Sequence, residues 1–440
     1  MNIKYALKAI LSNKLLSIVL IIELICGYYS FYNILDYQKQ INEESKKVNF
    51  IYGNKSLYQM TLNGFGGMAF KDSEKAIDCI KELQKAKEYT FTVGNKMQAD
   101  LKPFSGCYKF KISSLPMSSS VVSVNGFVAN ENAVNSFNLQ VQEGRLFNQN
   151  EYSMGKVDNI YPVVLGANYK GYFKVGDIID GVKLMHDTAI KIKVIGILKK
   201  DTSIPIKFDN YNIFFQSEKA NPNFVNLDNY VLKPFITNTS EIDATEIKSD
   251  MLGNFVVLDK SYSEEKKEKI LNDIKDKLEN ATGDKFIITS YDKDITKQLD
   301  QYINSRNTYL YTSITVLIFL SITIIVSMLS SINKRKKEFG VYISSGARMK
   351  DIMSMISLQM ILISIIALMF TIIAILIYYN FFDGDALLSA HDPNIQTKSL
   401  DFRILAVLLF GGVAYSAIAS LIPIRKIKKL NISDLLRRDD

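Results

Sequence analysis

Four long apolar runs constrain this chain more than any other feature. They lie at residues 15–35, 309–332, within 352–382 and 404–424. Each can cross a hydrocarbon core of about 30 Å at about 1.5 Å of helical rise per residue. Lipid offers a backbone no hydrogen-bond partners, so each run is expected as a helix that satisfies itself. The third run is longer than a crossing needs and is expected to begin at the interface or to tilt. The first run follows Lys4, Lys8 and Lys14, as a signal peptide would, and Cys26-Gly27 hints at a lipoprotein cleavage site. But Ile25 stands where a small residue is needed, Glu23 interrupts the run, and apolar residues continue past the site. The run reads as an uncleaved anchor.

Charge sets the orientation. Bases crowd the N-terminal tail (1–14), the loop at 333–351 and the C-terminal tail (425–440). The loop at 383–403 instead carries Asp383, Asp385, Asp392 and Asp401 with only Lys398 and Arg403. The positive-inside rule then puts both termini and the basic loop in the cytoplasm, and residues 36–308 and 383–403 outside. The formal charge of +8 sits beside the apolar runs, which points to a bilayer surface and away from nucleic acid as a partner.

Residues 36–308 read as one α+β domain. A strand is expected over 50–62, an amphipathic helix over 73–87 with Ala76, Ile77, Ile80 and Leu83 on one face, and a strand over 89–93. The same order recurs as a strand at 255–258, a helix at 263–278 and a strand at 286–289. Two β-α-β halves around an insertion suggest a ferredoxin-like unit split in sequence. The insertion, about 123–216, is mostly β, with runs at 121–128, 161–165, 190–197 and 211–215. A polar helix over 295–307 is expected to lead directly into the second span.

Candidates for chemistry are few. There is no phosphate-binding G-x-x-x-x-G-K-[ST] loop, so ATP hydrolysis is not expected of this chain. His186 and His391 are isolated, no metal-ligand cluster exists, and no cofactor is expected. Cys79 and Cys107 could bond in an oxidising compartment, or stand as two separate thiols. Glu23 is a carboxylate inside a span. It is a functional candidate by default, and its plainer reading is a hydrogen bond to a neighbouring helix or to its copy in a dimer.

Three segments carry a resemblance. The first follows the second span: Asn333-Lys-Arg-Lys-Lys-Glu338-Phe-Gly340-Val-Tyr-Ile-Ser-Ser-Gly346-Ala347-Arg348. The second is the tail, Pro423-Ile-Arg-Lys-Ile-Lys-Lys-Leu430-Asn-Ile-Ser-Asp434-Leu-Leu436-Arg437. The third is Glu143-Gly144-Arg145-Leu146-Phe147 with the runs that follow it at 162–166, 175–177 and 194–197. Together they resemble the MacB/FtsX-like ABC transporter permease family, the mechanotransmission type. The tail departs from the family pattern at Ile432, where proline is usual, and at Asp434, where glutamate is usual.

The resemblance implies four transmembrane helices with a large extracytoplasmic domain, in a bacterial cell membrane. It implies that the basic loop docks on a separate ATP-binding subunit through Arg335, Lys337, Glu338, Phe339, Gly340, Gly346, Ala347 and Arg348. It implies a second permease chain, identical or different, and allows an extracytoplasmic adaptor. ATP-driven motion would then export or extract a peptide, lipoprotein or other amphiphile. Two alternatives share this architecture: a scaffold that activates an extracellular cell-wall hydrolase, as FtsX does, and a sensory partner in a peptide-antibiotic response.

Overall fold

A computed structural model describes residues 10–11, 14–63, 67, 69–112, 121–154, 160–183, 188–205, 224–238, 244–379 and 400–428. The strand expected at 211–215, both histidines, most of the acidic loop and the end of the C-terminal tail lie outside these residues. The chain divides into two compact units, residues 1–42 with 299–383 and 398–440, and residues 43–298 with 384–397. The main helices are α1 (Lys14–Tyr52), α2 (Ser73–Gln84), α3 (Glu264–Thr282), α4 (Tyr291–Lys334), α5 (Lys336–Ser344), α6 (Met349–Ile377) and α7 (Phe402–Lys428).

Among the described residues the second unit holds two main sheets, of four and seven strands, and a two-stranded ribbon of β9 (Ser203–Pro205) with β10 (Phe224–Asn226). The smaller contains β1 (Lys55–Leu62), β2 (Thr90–Thr92), β12 (Asn254–Asp259) and β13 (Phe286–Ser290), in the spatial order β13-β1-β12-β2. All neighbours in it are antiparallel. Helices α2 and α3 start where side chains cap them: Asp72 accepts from the Lys75 amide at 3.0 Å and Ser263 from the Lys266 amide at 3.3 Å. Their apolar faces, Ala76, Ile77, Ile80 and Leu83 with Ile270, Leu271, Ile274 and Leu278, cover Met60, Phe91, Val256 and Leu258 of the sheet.

The opposite sheet face is buried too. Leu57, Gln59, Thr92, Phe255 and Val257 are all covered. Phe137 and Tyr291 meet Phe255 edge-on, with centroids 5.9 and 5.5 Å away. Burial on both faces explains why these strands lack a polar–apolar alternation. The strand expected from residue 50 begins later, because α1 runs on through Tyr52 and β1 opens at Lys55.

The larger sheet contains β3 (Gly94–Leu101), β4 (Val122–Ala129), β5 (Val141–Gly144), β6 (Ile160–Leu165), β7 (Ile178–Lys183), β8 (Thr188–Leu198) and β11 (Val231–Pro234). Its order is β5-β8-β6-β11-β4-β3-β7, and β7 also pairs with β8. Six strands therefore close on themselves as a barrel, with β5 attached outside. Closure removes the exposed edges that would invite aggregation. The barrel is filled by Ala99, Leu101, Val122, Val124, Val194 and Val231, with Phe110 stacked on Tyr169 at 4.0 Å. Its strands run from Gly94 to Pro234, wider than the 123–216 insertion expected from composition. The added strands β3 and β11 close the ring around β4.

Among the described residues, three helices are long and apolar enough to cross a membrane: Ser17–Phe50, Tyr291–Lys334 and Lys350–Ile377. Helix α7 contributes a shorter apolar stretch, Phe402–Tyr415. The buried seam recurs every three or four residues: Leu20, Leu24, Tyr28 and Tyr32 on α1, and Leu320, Ile324, Met328 and Ile332 on α4. Ile18, Ile22, Ile318, Phe319, Ile322 and Phe410 point outward, which suits lipid. Polar side chains pin the helices together: Tyr28 bonds Ser364, Ser321 bonds Tyr415 at 2.7 Å, and Lys39 pairs with Asp401 at 2.8 Å.

Candidate functional site

The segment between α4 and α6 is a short helix held by a turn at each end. Helix α4 stops at Lys334, and Arg335 turns the chain, its amide bonding the Ile332 carbonyl at 3.1 Å. Arg335 also donates from Nε to Glu338 Oε2 at 2.9 Å and lies over the Phe339 ring at 5.1 Å. Glu338 stands in the first turn of α5, where a carboxylate suits the helix dipole. Phe339 is 2% exposed and packs with Leu24, Met328 and Ile352 in the helical core.

The other end is a Schellman turn. Gly346 adopts φ +94°, its amide bonds Ile343 at 3.0 Å, and the Ala347 amide bonds Tyr342 at 2.9 Å. Only glycine takes that conformation without strain. Asp351 then accepts from the Arg348 amide at 2.9 Å and starts α6.

This geometry divides the eight residues expected to dock. Arg335, Phe339 and Gly340 are buried and brace the helix from inside. Ala347 and Glu338 are half-buried. Lys337, Gly346 and Arg348 are exposed. The outer face of α5 also presents Val341, which is 57% exposed, with Ser344 and Ser345. Val341 is not among those eight, although its spacing of four from Lys337 puts both on one helical face.

The other candidates separate. Glu23 accepts from Thr323 at 3.0 Å through Oε1, while Oε2 is buried without a partner. The carboxylate thus links α1 to α4. Cys79 and Cys107 are not brought together, and both thiols are free. Cys79 packs against the four-stranded sheet's core, where burial pushes its thiol up to about 11, and Cys107 is buried inside the barrel. No cluster of metal-ligating side chains occurs among the described residues.

The Glu143–Phe147 segment serves the fold. Gly144 has φ +75°, and a Cβ there would sit 2.2 Å from the Ile195 carbonyl oxygen. Arg145 clasps Glu151 with both guanidinium nitrogens, at 2.7 and 2.8 Å, and the Asn148 amide donates to the same carboxylate at 2.8 Å. Burial pushes the Glu151 carboxyl up, but those bonds outweigh it and hold it below its ordinary value of 4.5. Its stabilising effect is therefore complete above about pH 4.5 and is lost as pH falls through the lowered value. Glu151→Gln is expected to cost about 2 kcal/mol at pH 7, with the difference from wild type shrinking in acid. Denaturant melts at pH 7 and pH 3 check this.

Residues 311–432 match the family model described as FtsX-like permease C-terminal. The chain carries an FtsX-like permease domain. This is the part of the chain whose basic loop carried the resemblance. The periplasmic region of MacB from Actinobacillus actinomycetemcomitans is similar at 16% identity, covering 59% of this chain and 98% of that one, with a TM-score of 0.35. The extracellular domain of the noncanonic ABC-type transporter YknZ from Gram-positive bacteria is similar at 13% identity, covering 53% of this chain and 100% of that one, with a TM-score of 0.32. No curated protein matches the chain in sequence. The permease domain begins within α4 and includes the whole of α5, so the braced loop belongs to it.

Proposed function

We propose that this permease subunit couples ATP hydrolysis by a separate ABC subunit to movement of an extracytoplasmic domain, so exporting or extracting a peptide, lipoprotein or other amphiphile. The observation that carries the reading is helix α5, pinned inside by Arg335 and Phe339 and offering Lys337, Val341 and Ser344 outward. A helix fixed on one face and bare on the other passes force from a partner to the spans that flank it. The chain crosses the membrane four times, with α7 as the fourth span and both termini in the cytoplasm. The basic residues beside the apolar runs support that orientation.

The domain outside is a split ferredoxin-like unit with a β barrel inserted, a reading supported by the order β13-β1-β12-β2 and the two crossing helices. A second permease chain completes the assembly. A photo-reactive amino acid at Val341 is expected to capture an ABC ATPase in native membranes. The same group at Phe339 is expected to capture none. Capture from neither position, with the protein present and folded, would contradict the reading.

A further inference from the structure

The start of α4 is tied to the four-stranded sheet in an unusual way. Strand β13 ends at Ser290, paired with Tyr58 of β1, and the chain turns at once into α4. The β1–β13 ladder therefore stops one residue short of Leu57. The Leu57 amide donates instead to Asp292 Oδ1 at 3.3 Å, and the Ser56 side chain bonds the same carboxylate. On either side of Asp292, Tyr291 is fully buried edge-on to Phe255, and Ile295, one turn on, is 5% exposed. The first turn of α4 thus contributes an aromatic anchor to β12 and a carboxylate to β1, the two strands at the centre of the sheet.

We propose that Asp292 is the joint that locks α4 to the central strand, making the first turns of the helix and the sheet a single moving part. This rests on the coupling function above, in which α4 carries motion to the domain. Asp292 continues the ladder where β13 has run out. A helix N-terminus that merely packed on the sheet would slide over an apolar face. An acceptor on a main-chain amide fixes its register as a strand would. Lys267, itself buried, and Lys260 supply positive charge around the carboxylate, and Lys267 is held in place by Glu264 at 2.7 Å. Asp292 acts through the helix it holds and is a positioning residue.

The test uses hydrogen–deuterium exchange on the full chain in lipid nanodiscs. Asp292→Ala is expected to speed exchange of the Leu57 amide and of residues 291–298 by about tenfold, with the Val256 amide unchanged. Asp292→Asn keeps an acceptor oxygen and is expected to retain the wild-type rates. Wild-type rates in Asp292→Ala would overturn the proposal, as would equal acceleration throughout β1, β12 and α3, which would mean general loosening.

A second arm uses the complex with its ATPase. ATP is expected to change exchange within residues 43–298 in the wild type. In Asp292→Ala that response is lost while ATP hydrolysis continues. A full response in Asp292→Ala would overturn the joint. If the wild-type complex itself shows no response, the coupling function fails, and the first arm still decides whether the joint exists.

Discussion

Replacing Asp284 by alanine is expected to destabilise the second unit by about 3 kcal/mol. Lys248 lies in the helix Ala244–Asp250 and is 4% exposed, with its ammonium 2.6 Å from Asp284 and 5.2 Å from the centre of the Phe70 ring. Both side chains of the pair are largely sheltered, at 5% and 17% exposure. An ion pair in such a place adds little beyond an apolar substitute, but removing one member strands the other charge away from water. The ammonium is the deeper of the two, so losing Asp284 does more harm than losing Lys248. Lys248→Met keeps the apolar stem over Phe70 and leaves a carboxylate that can still reach solvent, so it is expected to cost only about 1 kcal/mol. For a unit of this size, about 3 kcal/mol corresponds to a fall in melting temperature of roughly 6–12 °C. Thermal melts of both variants in detergent read the difference. Equal small shifts would show that the pair is solvated.

The second large effect is expected at α5, the proposed coupling helix. Val341→Glu places a carboxylate on the bare face of α5 without touching its braces. The side chain is 57% exposed, so the free protein should keep its melting temperature. Against a docked ATPase the new carboxylate must be desolvated or the contact opened. A cost of about 3 kcal/mol lowers affinity by roughly a hundredfold. Phe339→Ala behaves differently. It removes a ring from under Arg335 in the helical core, and is expected to cost about 3 kcal/mol of stability as well as coupling. Measuring melting temperature and ATPase affinity for both variants separates a contact residue from a brace. Equal affinity for wild type and Val341→Glu would remove α5 from the docking surface.

Much of the architecture was legible because it is local. Helices α2 and α3 announce themselves through apolar spacing and through Asp72 and Ser263 placed just before them. The apolar runs mark the membrane helices by length alone. Their ends were less legible, since α1 continues through polar residues to Tyr52 and α4 begins at Tyr291, well before the apolar stretch.

The barrel could not be read, because β6 with β8 and β4 with β11 pair in parallel across long separations and no periodicity records a partner. The roles of Asp292 and Asp284 were hidden for the same reason, as each meets a residue far away in sequence. The basic loop at 333–351 was half legible. Its residue types were evident, but which of them face inward follows from Gly346 and Phe339 fixing the rotation of α5.

On this reading the chain works as the membrane partner of a separate ATPase. The most direct measurement is purification of the full-length protein from its own membranes, wild type beside Val341→Glu, followed by identification of whatever accompanies it. An ABC ATPase is expected with the wild type and its loss is expected from the variant, with the variant equally folded. A wild-type protein that brings no ATPase, even after cross-linking in the membrane, would contradict it.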